Sequence, residues 1–432
     1  MAAGKNRSGA GQPAPSRGAN RSGAGRPAPS RRAKSGRARP IEYSILYTAT
    51  LCLFAYGAVM VYSASSAESL LSGSGDASFY LKRYVLFGLV GLVVLHAASR
   101  HGLSVIRSLT PVLLVAAFAL TVAVMLPGLG VRVNGATRWL GAGPFQFQPS
   151  ELLKVAVVLY TVQVLAARPK ATKTLGGLVK PLLLVVGAAC LLLMKQPDMG
   201  TAMVICFTVG ALLVTAGTPV RLLGSIFAAL AMAALVLAIV EPYRRERLTA
   251  FLDPFSDAGD SGFQAVQALT ALGSGGLFGV GLGESVQKIF YLPEAHTDMI
   301  LAIIGEELGL IGVLGAVVLY GMIAYAGLRA AKLAGDLYSK LLAAGITSLI
   351  LCQATLNFFA VMGMAPLTGV PLPFLSYGAT NLIVLMGAMG LLLNVAAEGG
   401  RAARRSPAKP RLEAIEGGRR RREPAARQRR RA

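Results

Sequence analysis

From residue 41 to residue 397 the chain is a succession of apolar stretches, each near the ~20 residues that a helix needs to cross a hydrocarbon core. About ten can be drawn, over 41–64, 80–98, 106–126, 150–167, 178–194, 199–216, 219–240, 298–327, 337–362 and 378–397. With 54% of residues hydrophobic and only 15% charged, no soluble core could hide so much apolar surface. The sequence therefore predicts an all-α polytopic membrane protein of about ten transmembrane helices.

Charge sets the orientation. Arg100 and Arg107, then Arg168, Lys170, Lys173 and Lys180, then Arg221, then Arg329, Lys332 and Lys340 fall between alternate spans, and the positive-inside rule makes that side cytoplasmic. An even number of spans puts both termini there too. The outward segments are then a short one with Glu68 and Asp76, one from Pro127 to Pro149, a large extracytoplasmic loop between helices 7 and 8, and one from Gly363 to Tyr377.

Three domains are expected: a membrane domain over 41–398, and two basic cytoplasmic tails, 1–40 and 399–432, read as disordered. The first tail carries a near repeat, NRSGAGQPAPSR and NRSGAGRPAPSR, with too little apolar surface to fold. Neither tail resembles a cleavable signal peptide, so the first span is expected to direct insertion. Much of the net charge of +23 belongs to these tails. Anionic membrane lipids account for it as well as a topology role does, and nucleic acid is not an expected partner. Cys52, Cys190, Cys206 and Cys352 all fall inside spans, so no disulfide framework is expected. His96, His101 and His296 are too few and too scattered for a histidine-rich metal site.

Polar residues concentrate on the outward side. Ionisable groups in the membrane are costly and usually face a cavity, a partner or a substrate path. In KIFYLPEAHTDMILAIIGEELGLIG, from Lys288 to Gly312, Glu294, His296, Asp298, Glu306 and Glu307 punctuate a helix start. Asp298 puts a carboxylate at headgroup depth at the start of the eighth span, where it also suits a helix N-terminus. Glu151 and Lys154 share a face on the outer turn of the fourth span, where an ion pair could be purely structural. Arg244, Arg245 and Arg247 form a cluster whose guanidinium forks suit phosphate oxygens, or a solvated loop with internal ion pairs. The glycine-dense GSGGLFGVGLGESVQK lacks the GK[ST] ending of a nucleotide loop and is expected to allow close packing.

Six outward blocks in order, NGATRWL with QPSELLK, QPDMGT, FLDP, GLFGVGLGESVQK, YLPEAHTDMILAIIGEELGLIG and LTGVPLPFLSYG, resemble the SEDS (shape, elongation, division and sporulation) family, across essentially all spans. The wording AHTD then GEELG is similar to the division branch, FtsW-like more than RodA-like. The resemblance implies a bacterial cytoplasmic-membrane glycosyltransferase, at the division septum, that polymerises lipid II into β-1,4 glycan strands with inversion. It implies a class B penicillin-binding transpeptidase and other division proteins as partners, and Asp298 as the essential carboxylate. The leaving diphosphate then needs positive charge from Lys288, Lys154, the arginine cluster or a divalent cation such as magnesium or manganese, with Glu151, Glu294 and His296 among the substrate-binding candidates. The sequence does not choose among these. The rival is a lipid II flippase; polar groups gathered at the outer surface favour chemistry on the outer leaflet over a transmembrane path. Two departures from the family pattern stand out: Ala379, Thr380 and Asn381 follow SYG, and Met299 replaces a common phenylalanine.

Overall fold

The computed structural model describes residues 39–71, 75–133, 136–142, 145–240, 249–256, 258–259 and 262–405. A helix occupies every predicted apolar stretch: α1 Ile41–Leu71, α2 Phe79–Arg100, α3 Leu103–Ala123, α4 Pro149–Ala167, α5 Leu175–Lys195, α6 Met199–Thr215, α7 Val220–Val240, and, beyond the additional helix α8 Phe263–Gly275, α9 Ile300–Leu333, α10 Leu337–Val361 and α11 Ala379–Arg405. Among the described residues, eight of these are long and apolar enough to span a membrane, while α6 and α7 count as shorter apolar helices. The chain is a multi-pass membrane protein. The two tails lie almost wholly outside the described residues, as do Arg244, Arg245 and Arg247.

Two features of the outward loops were not visible in the pattern. Residues 127–149 hold a small antiparallel sheet, β1 Gly130–Val133, β2 Ala136–Ala142 and β3 Phe145–Phe147, in the order β1-β2-β3. Val131 pairs with Trp139 and Leu140 with Phe147. Strands of 4, 7 and 3 residues are too short for alternation to declare itself beside a membrane span. Arg138 on β2 ties the sheet to the α5–α6 turn, its Nε donating to Gln196 O at 3.0 Å and its Nη2 to Pro197 O. The second feature is α8, which sits within the large loop and packs on α9.

The two ends of the bundle differ in kind. At the end that the charge bias assigns to the cytoplasm, Glu42 pairs with Arg329 at 2.8 Å, Arg107 lies over the Tyr338 ring, and Asn394 donates to His101 O. The opposite end collects the outward polar motifs. Between them α10 packs against α4, α6, α9 and α11, and its face is lined by fully buried Leu341, Leu349 and Ile350.

The helix α9 is broken at Gly309, whose φ of 65° and ψ of −161° interrupt the hydrogen-bond ladder. In lipid the freed groups must be paired within the protein. The glycine-dense segment after α8 does this: Val280 N–H donates to Glu306 O and Gly281 N–H to Glu307 O, while Leu310 N–H and Ile311 N–H donate to Gly276 O and Leu277 O. A Cβ at Gly309 would lie 2.4 Å from Gly279 N, so neither the dihedral nor the space admits another residue. Gly309→Ala is expected to cost about 1–3 kcal/mol and lower the unfolding temperature in detergent. Gly315→Ala, a few residues on in open space, is the matched control and is expected to be neutral or mildly stabilising.

Candidate functional site

The outward end of the bundle is organised around a loop that should be unstable where it lies. Residues 370–376 have no regular structure, yet Val370, Leu372, Phe374, Leu375 and Ser376 are all buried among membrane helices. Prolines at 371 and 373 forbid the loop from pairing with itself as a helix would. Side chains from three helices supply the missing donors. Asn357 Nδ2 donates to Val370 O at 2.8 Å and Gln353 Nε2 to Pro371 O at 2.8 Å, both from α10, one turn apart. Tyr320 of α9 donates to Pro373 O at 2.6 Å, and Tyr84 of α2 to Phe374 O at 2.5 Å. Leu372 O accepts from the N–H groups of Leu375 and Ser376, and Leu372 N–H donates to Ser376 Oγ.

Asp298 sits at the mouth of this arrangement, half-buried two residues before α9 begins. Asn357 Nδ2 also donates to the Asp298 main-chain oxygen at 2.6 Å, so one amide joins the aspartate to the loop. The Asp298 carboxylate faces Gly369, where an added Cβ would lie 3.7 Å from Oδ2. Gly369 has a φ of 65°, so a larger residue there would be strained as well as close to the carboxylate. Thr297 Oγ1 bridges the two acids, 2.6 Å from Glu294 Oε2 and 3.3 Å from Asp298 Oδ1. Glu294 adopts a φ of 58°, which turns the chain so that its carbonyl receives the N–H groups of Thr297 and Met299.

His296 points to the other side of this segment. Its Nδ1 lies 3.4 Å from Glu68 Oε2, too long to be a good hydrogen bond. Its ring packs on Tyr80 at 4.3 Å and on Tyr377 at 5.7 Å, and Tyr80 meets Tyr377 edge-on at 5.1 Å. Burial pushes the Tyr377 hydroxyl above its ordinary pKa, while the charge and hydrogen bond of Arg83 pull the other way. Arg83, also stacked over Phe79 at 4.9 Å, thus places a cation at the aromatic wall. The sequence reading passed over Tyr80 and Arg83, and named Glu68 and Tyr377 only as parts of outward segments.

The two candidate lysines are placed otherwise than as open anion ligands. Lys288 is 6% exposed, and its ammonium contacts Glu307 Oε1 at 2.8 Å, Gly283 O at 2.5 Å and Ser63 Oγ at 3.3 Å, three acceptors for three protons. Ser63 donates in turn to Glu307 at 2.7 Å. Glu306, one residue before, accepts from Ser285 Oγ at 2.5 Å and from Val286 N–H, so the adjacent acids brace the 283–288 loop. Lys154 is fully buried between Glu151 at 2.9 Å and Gln353 Oε1 at 2.8 Å. In this arrangement both lysines are struts beneath the site. Gln353 and Asn357 were missed because two amides in an apolar helix look like isolated polar substitutions; their spacing of four, which puts them on one face, was the available signal.

The departures at 379–381 fit the same frame. Thr380 Oγ1 accepts from Gln148 N–H at 3.1 Å, and Asn381 Oδ1 accepts from Gln353 Nε2 at 3.2 Å. They join β3, α10 and α11 where the loop ends.

Among the described residues, no three of His, Cys, Asp and Glu converge as a metal site would require. Asp298 and Glu294, sharing one hydroxyl, offer two carboxylates, which suits a hard cation that completes its sphere with water and substrate phosphate.

Residues 43–400 match the family model FTSW_RODA_SPOVE, described as cell cycle protein. The chain belongs to this family. A probable peptidoglycan glycosyltransferase FtsW of Thioalkalivibrio sulfidiphilus is 44% identical over 360 residues, 81% of this chain and 88% of that one. The stage V sporulation protein E of Bacillus subtilis is 39% identical, covering 81% and 96%. Among solved structures, a chain of a peptidoglycan synthase complex that coordinates polymerization and crosslinking superposes with a TM-score of 0.68 at 28% identity, over 82% of this chain and 97% of that one. The rod shape determining protein RodA of Thermus thermophilus gives 0.59 at 26% identity, over 81% and 95%.

The buried pairs yield a stability test. Lys288→Met alone strands Glu307 and is expected to destabilise the folded protein by about 3–5 kcal/mol, whereas Lys288→Met with Glu307→Leu costs much less. Thermal unfolding of the single and double variants in one detergent measures the difference.

Proposed function

We propose that this chain is a peptidoglycan glycosyltransferase that polymerises lipid II on the outer face of the cytoplasmic membrane. The observation that carries the reading is the placement of Asp298. Its carboxylate stands at the outer mouth of the bundle, linked through Thr297 to Glu294, while Tyr80, Tyr377, His296 and the cation Arg83 gather on the other side of the same segment, in a chain whose relatives bear that activity in their names.

Asp298 is the general base. It takes the proton from the 4-hydroxyl of one lipid-linked disaccharide as that oxygen attacks the anomeric carbon of another. The bond from that carbon to the undecaprenyl diphosphate oxygen breaks, and the configuration inverts. The diphosphate leaves with the bonding electron pair, and Arg83 supports its charge in place of Lys154 and Lys288, whose protons are engaged by protein oxygens. A divalent cation, magnesium or manganese, would be held by Asp298 and Glu294 and would neutralise part of the diphosphate charge. Tyr80 and Tyr377, set edge to face, give the sugars aromatic surface to pack on. Flippase activity is not needed to account for these residues, because the polar groups lie at one end of the bundle and α10 is closed by buried leucine and isoleucine below them.

A class B penicillin-binding transpeptidase is the partner that would crosslink the product, and the division septum is the site of action. Similarity to a synthase complex that couples polymerization to crosslinking supports the first, and similarity to chains named FtsW supports the second.

Purified protein supplied with lipid II, with its transpeptidase partner, should give glycan ladders on a gel. Asp298→Asn, inserted and folded as wild type, is expected to lower the rate at least ~100-fold, the scale of a lost general base. A normal ladder from that variant refutes the assignment of the base.

A further inference from the structure

The far end of α4 borders a cavity remote from Asp298. It has a volume of about 460 Å³ and opens at the end of the bundle assigned to the cytoplasm. Arg168 and Lys180 border it, and neither forms an ion pair among the described residues. Pro111, Val164, Ala167 and Pro181 give it an apolar side, and Tyr160 and Gln163 complete the wall. Arg168 is fourteen residues after Lys154 on the same helix, so about 21 Å of helix separates the cavity from the site floor. It therefore lies in the headgroup layer of the leaflet opposite the chemistry.

Two further observations mark it as more than a pair of surface cations. The helix α5 forms a π-turn over Val179–Leu183, around Pro181, which has no N–H to give. Tyr160 of α4 ties that turn to its own helix by donating its hydroxyl to Pro181 O at 2.6 Å, and both residues line the cavity. Gln163, one turn along from Tyr160, keeps its Oε1 buried against the cavity without a hydrogen-bond partner. An acceptor in that state costs about 1–3 kcal/mol unless something donates to it.

We infer that this cavity binds the headgroup of an anionic phospholipid of the inner leaflet whose headgroup carries hydroxyls, the phosphatidylglycerol class. Arg168 and Lys180 take the phosphate oxygens, since basic pockets between membrane helices on this side suit such headgroups. A glycerol hydroxyl donates to Gln163 Oε1, which a bare phosphate oxygen cannot do. The glycerol backbone and the first acyl carbons lie along Pro111 and Val164. No covalent step is involved.

Full-length protein in nanodiscs of phosphatidylcholine, with phosphatidylglycerol as a minor component, is released into a mass spectrometer and its retained lipids are counted. Wild type is expected to keep phosphatidylglycerol. Arg168→Gln with Lys180→Gln is expected to weaken retention about fivefold per cation removed. Ala167→Phe, which fills the cavity and leaves every charge in place, is expected to abolish retention. Arg221→Gln with Lys332→Gln, two exposed cations of the same end outside the cavity, serves as the charge control and should leave retention unchanged. Equal loss in the charge control would show diffuse surface attraction and overturn the site. So would retention unaffected by Ala167→Phe, or displacement of the lipid by inorganic phosphate alone, which would make it a site for free anions.

Discussion

Everything at the outward end depends on satisfying five buried carbonyls. A loop with prolines at 371 and 373 enters a region without water, and each unpaired carbonyl there would cost about 1–3 kcal/mol. The fold answers with Asn357, Gln353, Tyr320 and Tyr84 for four of them, and with the loop's own Leu375 and Ser376 amides for the fifth. Those donors come from α10, α9 and α2, so the loop locks three helices at one depth. Because Asn357 also holds the main chain of Asp298, the same bonds that make the loop tolerable fix the aspartate relative to Gly369.

The buried ion pairs extend that frame. Glu151–Lys154 reaches the loop through Gln353, and Lys288–Glu307 reaches α1 through Ser63. Buried pairs of this kind seldom stabilise much relative to apolar packing, but each is severe to break in half. Their value here is geometric: a buried lysine held by two acceptors, as Lys154 is, or by three, as Lys288 is, admits few alternatives for its neighbours. The break at Gly309 has the same logic in backbone form, since the 276–281 segment completes the hydrogen bonds that the interrupted helix gives up.

How much of this was legible follows the physics of each signal. The membrane helices were readable because hydrocarbon imposes one length and one composition, and the helix bounds fall within a few residues of the apolar stretches except where α1, α9 and α11 run on past them. Asp298, Glu294 and His296 stood out as candidates because charge is rare in such a chain. Lys154 and Lys288 were legible as important but not in their setting, because whether a lysine's protons are spent depends on residues distant in sequence such as Gln353 and Ser63. Tyr84 and Tyr320 could not be read at all, since a tyrosine in an apolar span looks like packing until its hydroxyl is found on a buried carbonyl. The sheet over 130–147 was hidden by the brevity of its strands, and α8 by the glycines that follow it.

The central claim is that the carbonyl-capturing amide of Asn357 positions Asp298 for chemistry, and the most direct test separates folding from rate. Asn357→Leu keeps the branched shape and the number of side-chain heavy atoms and removes both donated bonds. The initial rate of glycan polymerisation should be measured at saturating lipid II, beside the unfolding temperature of the same preparation. The account predicts a protein that remains folded, with its unfolding temperature lowered, and a maximal rate reduced at least ~10-fold with little change in half-saturation. A folded Asn357→Leu protein that polymerises at the wild-type rate would contradict it.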